Sequence, residues 1–145
     1  MKKIILSIIL IVTMCLALVA CAEEPVTKED WIDTLVNDKG LVVTENSTEG
    51  EALEYANARL NMDISMFQGN FKVETVSYTV LTKGGDTEKA CKIIEFATED
   101  DAIKYSGLFM NKRSANSGWY VAKDGKIVVI TNLSEATEVI NLIFK

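Results

Sequence analysis

From Thr27 onward the spacing of apolar residues changes period several times, and each change marks an element. Trp31, Ile32, Leu35 and Val36 recur at helical spacing. Thr27, with Asp30 three residues later, caps that helix, and Gly40 is placed to end it. Leu41 to Thr44 reads as a brief strand. Thr48 and Glu51 form a capping-box pattern that opens a second helix running to about Met62, with Leu53, Ala56 and Leu60 on its buried side. Within Phe71 to Thr82, Val76, Tyr78 and Val80 alternate with Ser77 and Thr79, the period of a half-exposed strand. Thr75, Ser77 and Thr79 would then offer a row of hydroxyls to solvent.

Gly84-Gly85-Asp86 turns the chain, and Lys89 to Ala97 pairs back. Thr98, followed by Glu99, Asp100 and Asp101, starts a third helix with acids at its positive dipole end, and Ala102, Tyr105, Phe109 and Met110 form its apolar face. After a polar loop from Asn111 to Gly118, Trp119–Lys123 and Lys126–Thr131 flank Asp124-Gly125, a tight-hairpin signature. Ser134 caps a last helix that buries Ala136, Val139, Ile140, Ile143 and Phe144.

This string predicts an α+β fold in one small domain over 27–145, an antiparallel sheet with helices on one face. Its ferredoxin-like βαββαβ order is followed by an added strand and a C-terminal helix. The alternative layout sets two ββα units, 71–111 and 118–144, side by side. Ile93 to Ala102 resembles the third strand and second helix of RNA-recognition domains, which share the ferredoxin-like order. Only Phe96 matches the stacking aromatics that such domains use, and Cys91, Lys92 and Ile94 stand where glycine and further aromatics are expected.

The start of the chain is of another kind. Lys2 and Lys3 precede an uncharged apolar run from Ile4 to Ala20 that ends in Leu18-Val19-Ala20-Cys21. This closely resembles the signal peptide and lipobox of bacterial lipoproteins. The resemblance implies cleavage between Ala20 and Cys21, a diacylglyceryl group on the Cys21 sulfur, and a domain held on a membrane outside the cytoplasm. In a host with two membranes the outer one is open to it, because Ala22 does not resemble an inner-membrane retention signal. Residues 1–20 would leave, 21–26 would serve as lipidated cysteine and tether, and 27–145 would fold. An uncleaved anchor is the alternative, since the apolar run is near the short end of the roughly 17 to 25 residues that span a bilayer. Ala22 to Val26 reach only about 17 Å when fully extended, so the domain would ride close to the lipid.

The whole chain has a formal charge of −6, and loss of Lys2 and Lys3 makes it two units more negative. Such an acidic balance opposes nucleic acid as a partner. Of the three cysteines, Cys15 would leave with the leader and Cys21 would carry lipid. Cys91 then stands alone as a small core hydrophobe. With no histidine, Ser-His-Asp, Cys-His and ordinary zinc arrangements are excluded, and Gly84-Gly85 lacks the rest of a phosphate loop. No cofactor and no metal is expected.

Glu99, Asp100 and Asp101 are explained by the helix dipole, and Asn46-Ser47-Thr48 and Asn132-Leu133-Ser134 by turns and caps. Lys112 and Arg113 beside Trp119 and Tyr120 are a possible contact surface for an envelope protein or an anionic wall polymer. The expectation is a non-enzymatic, membrane-anchored extracytoplasmic binding or accessory lipoprotein. The alternatives are an immunity- or inhibitor-type lipoprotein that masks a basic partner and, third, a carboxylate-based enzyme.

Overall fold

The structure is a computed structural model that describes residues 27–112 and 118–143. The lipobox, the tether, Arg113 and Phe144 therefore lie outside the described residues. Helix α1 (Lys28–Asn37) begins with the expected capping box: the Thr27 hydroxyl accepts from the Asp30 amide at 3.2 Å, and the Asp30 carboxylate accepts from the Thr27 amide at 2.8 Å. The Thr27 hydroxyl and amide hold the Asp30 carboxyl below its ordinary pKa.

Strand β1 (Val42–Ser47) runs further than the brief strand expected, so Thr48 does not cap the next helix. Helix α2 (Gly50–Met66) starts after Glu49 with no side-chain cap. It ends in a Schellman arrangement, with Gln68 N–H on the Ser65 carbonyl and Gly69 N–H on the Ile64 carbonyl. Strands β2 (Thr75–Thr82) and β3 (Ala90–Phe96), helix α3 (Glu99–Lys112), strands β4 (Tyr120–Asp124) and β5 (Ile127–Thr131), and helix α4 (Ser134–Ile143) complete the described chain. In the last hairpin Asp124 pairs with Ile127, so the two loop residues are Gly125 and Lys126, one position later than expected. The primed turns of such loops need positive φ at the first loop position, and Gly125 supplies it at 51°.

The fold is α+β, one small domain around an open five-stranded sheet in the order β1-β2-β3-β5-β4, with every pairing antiparallel. The chain order βαββαβ holds, but the sheet is not split: β1 and β2 are direct neighbours although α2 lies between them in sequence. The centre of the sheet is instead two ββα units side by side, β2-β3-α3 and β4-β5-α4, joined through β3 and β5.

The helices, expected on one face, occupy both. On the first face α1 and α4 bring Trp31, Leu35, Ala136, Val139 and Ile140 onto Leu81, Cys91, Ile93 and Val129. On the second, α2 and α3 bring Ala56, Leu60, Ile64, Ala102, Tyr105 and Phe109 onto Tyr78, Ile94, Phe96, Val128 and Ile130. The reason is written in β3 and β5. Ile93-Ile94 and Val128-Val129-Ile130 are consecutive, so apolar side chains project to both sides and each side must be covered. Phe96 is fully buried beside Tyr105 and offers no stacking surface.

Cover on both faces also accounts for the hydroxyl row of β2, with Thr75 on the α2 side and Ser77 and Thr79 on the other. Thr75, Ser77 and Thr79 are each no more than 2% exposed, not solvent-facing as expected. Thr75 is held by α2: its amide and hydroxyl both donate to Asn57 Oδ1, at 2.8 and 3.0 Å. One turn along, Asn61 Oδ1 accepts from Val73 N–H at 2.9 Å and its Nδ2 donates to Val73 O at 3.0 Å. Two asparagines four residues apart thus act as a surrogate strand for residues 73–75. Just beyond, the β2–β3 register shifts between Thr75 and Ser77.

Two predictions follow from the end of α2. Gln68 stands at φ 61°, the left-handed position that glycine fills without a side-chain penalty; Gln68→Gly should stabilise the protein by about 0.5–1 kcal/mol in thermal or urea unfolding. At Gly69 a Cβ would lie 2.5 Å from Ile64 Cγ2 in the core, so Gly69→Ala should destabilise by roughly 1–3 kcal/mol.

Candidate functional site

On the face carrying α2 and α3, the β1-β2 and β2-β3 registers set two rows of side chains at one end of the sheet. Val42, Thr82 and Ala90 form the outer row, and Glu45, Val80 and Lys92 the next. α2 reaches this end only through Arg59. The result is a concavity of about 340 Å3 lined by Thr44, Glu45, Arg59, Tyr78, Val80, Thr82, Thr87, Ala90 and Lys92.

Arg59 is the hub of this cleft. Its Nη2 donates to both oxygens of Glu45, at 2.9 and 3.0 Å. The guanidinium lies over the ring of Tyr78 at 4.5 Å and near that of Tyr55 at 5.7 Å, a double cation–π arrangement. Burial works to lower the Arg59 pKa, but Tyr78, Glu45 and Tyr55 outweigh it, and Arg59 stays charged above its ordinary value. Burial likewise pushes the Tyr78 phenol up to about 12 against the pull of Arg59, so the ring remains a neutral wall. Behind the cleft, burial raises the Asp63 carboxyl while Lys92 and Arg59 oppose the rise.

Two polar atoms of the cleft have no hydrogen-bond partner. Thr82 is 1% exposed with its hydroxyl unpaired, and Arg59 Nε is buried and unpaired. Such atoms are uncommon in folded proteins and destabilise by about 1–3 kcal/mol when nothing meets them. Within the lining, Arg59 is bonded to Glu45 and the Thr44 hydroxyl to the Val80 carbonyl. None of these residues was singled out from the sequence as a site. In the sequence Tyr78 and Val80 show only a strand pattern, and Arg59 only a place in a helix. The cleft exists because Glu45 and Lys92, distant in sequence, flank Val80 in the sheet.

A second polar group lies on the opposite face. Lys28 Nζ donates to Ser77 Oγ at 2.7 Å and to Glu95 Oε2 at 3.2 Å, with Glu29 at 3.4 Å. A serine beside a lysine raises the thought of a nucleophile and its base. This lysine is already paired with Glu95 and Glu29, however, and Ser77 is 2% exposed, out of reach of a substrate. The group instead pins the first turn of α1 to the sheet.

A larger, more open groove of about 550 Å3 is lined by Glu54, Asn57, Lys72, Val73, Glu74 and Asp101. Glu54 and Glu74 are exposed and Asp101 is half-buried, and Asn57 is already spent on Thr75. Although it is the larger space, its buried lining is Val73 alone, so the smaller cleft is the stronger candidate.

Of the residues expected to form a contact surface, Trp119 and Tyr120 face opposite sides of the sheet. Lys112 ends α3, and Arg113 lies outside the described residues. Trp119 is half-buried against the α2–α3 core, whereas Tyr120 packs toward the α1–α4 core and its hydroxyl donates to Asn141 at 2.9 Å. Thr98 caps α3 through the Asp101 amide at 3.1 Å, and Glu99 pairs with Lys123 at 3.0 Å. Among the described residues no group of acidic or cysteine side chains could hold a metal ion. Cys91 is buried, and burial pushes its thiol up to about 12. Asn132 is committed to the fold, accepting from Ala90 N–H at 2.8 Å and donating to Glu88 O at 2.7 Å.

Asp63 provides a pH signature. Its pKa is raised in the fold, so its ionised form is disfavoured there, and its contribution to stability is greatest at low pH and declines as pH rises through the folded pKa. Asp63→Asn should therefore melt at or above the wild type at pH 7. That advantage should shrink as pH falls below the carboxylate range, measured by thermal unfolding from pH 7 to pH 3.

No protein-family model matches the chain, and neither a curated protein nor a solved structure matches it.

Proposed function

We propose that this chain is a bacterial lipoprotein, anchored through diacylglyceryl-Cys21 and facing outside the cytoplasm, whose α+β domain is a binding module with the Arg59–Thr82 cleft as its binding site. The anchoring rests on Lys2-Lys3, the apolar run and Leu18-Val19-Ala20-Cys21. The binding reading is carried by one observation: a cleft of about 340 Å3 at one end of the sheet that gathers Arg59, Glu45 and Lys92 beside the ring of Tyr78. A domain held within about 17 Å of lipid by Ala22 to Val26 would meet ligands at the membrane surface.

A second reading, a lipoprotein that masks a basic protein partner, is supported by the acidic rim of Glu54, Glu74 and Asp101 around the open groove.

Both halves can be tested in native membranes. Cys21→Ala should move the protein out of the detergent phase and remove the acyl mass from its N-terminal peptide; an intact Met1 in the native material would overturn the anchoring. A photo-crosslinking residue at exposed Thr87, on the cleft rim, should capture a ligand or partner that the same probe at Glu54 does not. Capture at Glu54 alone would favour the masking reading.

A further inference from the structure

We infer that the pinned start of α1 and the short tether together turn the Arg59–Thr82 cleft away from the membrane, so that its ligand is a water-borne molecule and not a bilayer lipid. This inference rests on the anchoring at Cys21 and on the cleft being the binding site, and it adds the side from which that site is filled.

The direction follows from where α1 begins and ends on the sheet. Lys28, its first residue, donates to Ser77 at 2.7 Å and to Glu95 at 3.2 Å, and Ser77 and Glu95 are partners at the end where β2 begins and β3 finishes. From there α1 runs the length of the sheet. The Leu35 carbonyl in its last turns accepts the Leu41 amide at 3.0 Å, and Val42 then enters β1 opposite Thr82. The cleft lies at this far end, among Thr82, Thr87 and Ala90, and on the face covered by α2, whereas α1 covers the other. The start of α1, which the tether joins, and the cleft therefore occupy diagonally opposite corners of the domain.

Lengths turn that diagonal into a constraint. Ser77 and Thr82 are five residues apart, roughly 17 Å of strand, and α1 adds a layer about 10 Å thick. A pose that presses the end with Thr82, Thr87 and Ala90 onto lipid lifts the start of α1 roughly 17–20 Å above it. Ala22 to Val26 reach only about 17 Å at full extension, so that pose pulls the tether taut and removes nearly all of its conformational freedom. With the Lys28 end toward the lipid, the tether is slack. The first turn of α1 is withheld from the tether by the Thr27–Asp30 capping box and the Lys28 contacts. The acidic groove lies at the lipid end, where the Glu74 carbonyl accepts the Ala97 amide just past β3, so the two concavities face different surroundings.

The test uses the lipidated protein in phosphatidylcholine vesicles. Cys91 is buried and Cys21 carries lipid, so a thiol introduced by Thr87→Cys or Lys126→Cys is the accessible one for a spin label. Both positions are exposed: Thr87 on the cleft rim, and Lys126 in the β4–β5 loop at the Glu95 end. Nickel-chelating lipids report the height of each label above the headgroups through its relaxation. The expected result is a Thr87 label higher than the Lys126 label by roughly 15 Å. That difference should shrink when about ten glycine and serine residues are inserted after Val26. A photo-crosslinking residue at Thr87 in the same vesicles should give no phospholipid adduct.

Equal heights, a lower Thr87 label, a phospholipid adduct at Thr87, or a difference that the longer tether leaves unchanged would each overturn the inference. A protein that does not float with the vesicles would overturn the anchoring and this inference with it, whereas equal heights in a floated protein overturn the orientation alone. No capture at Thr87 in native membranes, with the heights as expected, would overturn the cleft as the binding site and leave the orientation standing.

Discussion

The structure depends on a sheet that must be dry on both sides. β3 and β5 present apolar side chains at consecutive positions, so neither face of the central strands can be left to water. Two helix pairs answer this: α1 and α4 on one face, α2 and α3 on the other. Each pair is assembled from segments far apart in the chain, which makes the domain one cooperative unit although its sheet is built of hairpins. Burying roughly 25 cal/mol per Å2 of apolar surface on both faces is what a chain without a folded-domain disulfide relies on.

That constraint also creates the exceptions. β1 is one of the two edge strands, with Val42, Val43 and Thr44 exposed. Polar groups collect there. Arg59, stacked between Tyr55 and Tyr78 and paired with Glu45, closes the apolar core on one side and forms the wall of the cleft on the other. The same side chain thus serves packing and electrostatics, and its Nε is left without an acceptor. On the opposite face Lys28 does comparable work with all of its named partners in place: Ser77, Glu95 and Glu29. A satisfied cation ties α1 down, and an incompletely satisfied one lines the open cleft.

Backbone pairing has its own exception in residues 73–75, which lead into β2 beside the end of β3 on one side and have no β1 residue opposite them on the other. Asn57 and Asn61 on α2 supply the missing donor and acceptors. Asn132 does the same for Glu88 and Ala90 at the start of β3. Asparagine suits this role because its amide repeats the donor and acceptor of a peptide group at the end of a short side chain.

Local chemistry was legible in the sequence wherever a rule acts over a few residues. The Thr27–Asp30 box, the Thr98 cap, the hairpin near Gly125 and the α+β order of elements all follow from spacing, since their energies are decided by neighbours in the chain. The resemblance at Leu18 to Cys21 is equally local. What only tertiary structure decided was which faces meet: that both sides of the sheet are covered, that the hydroxyls of β2 are buried, that β1 and β2 are neighbours, and that Glu45, Arg59, Thr82 and Lys92 share one cleft. These follow from the registers β1–β2 and β2–β3 and from the docking of α2. Such long-range pairings are selected by the burial of the whole sheet, a quantity that no short window of residues contains.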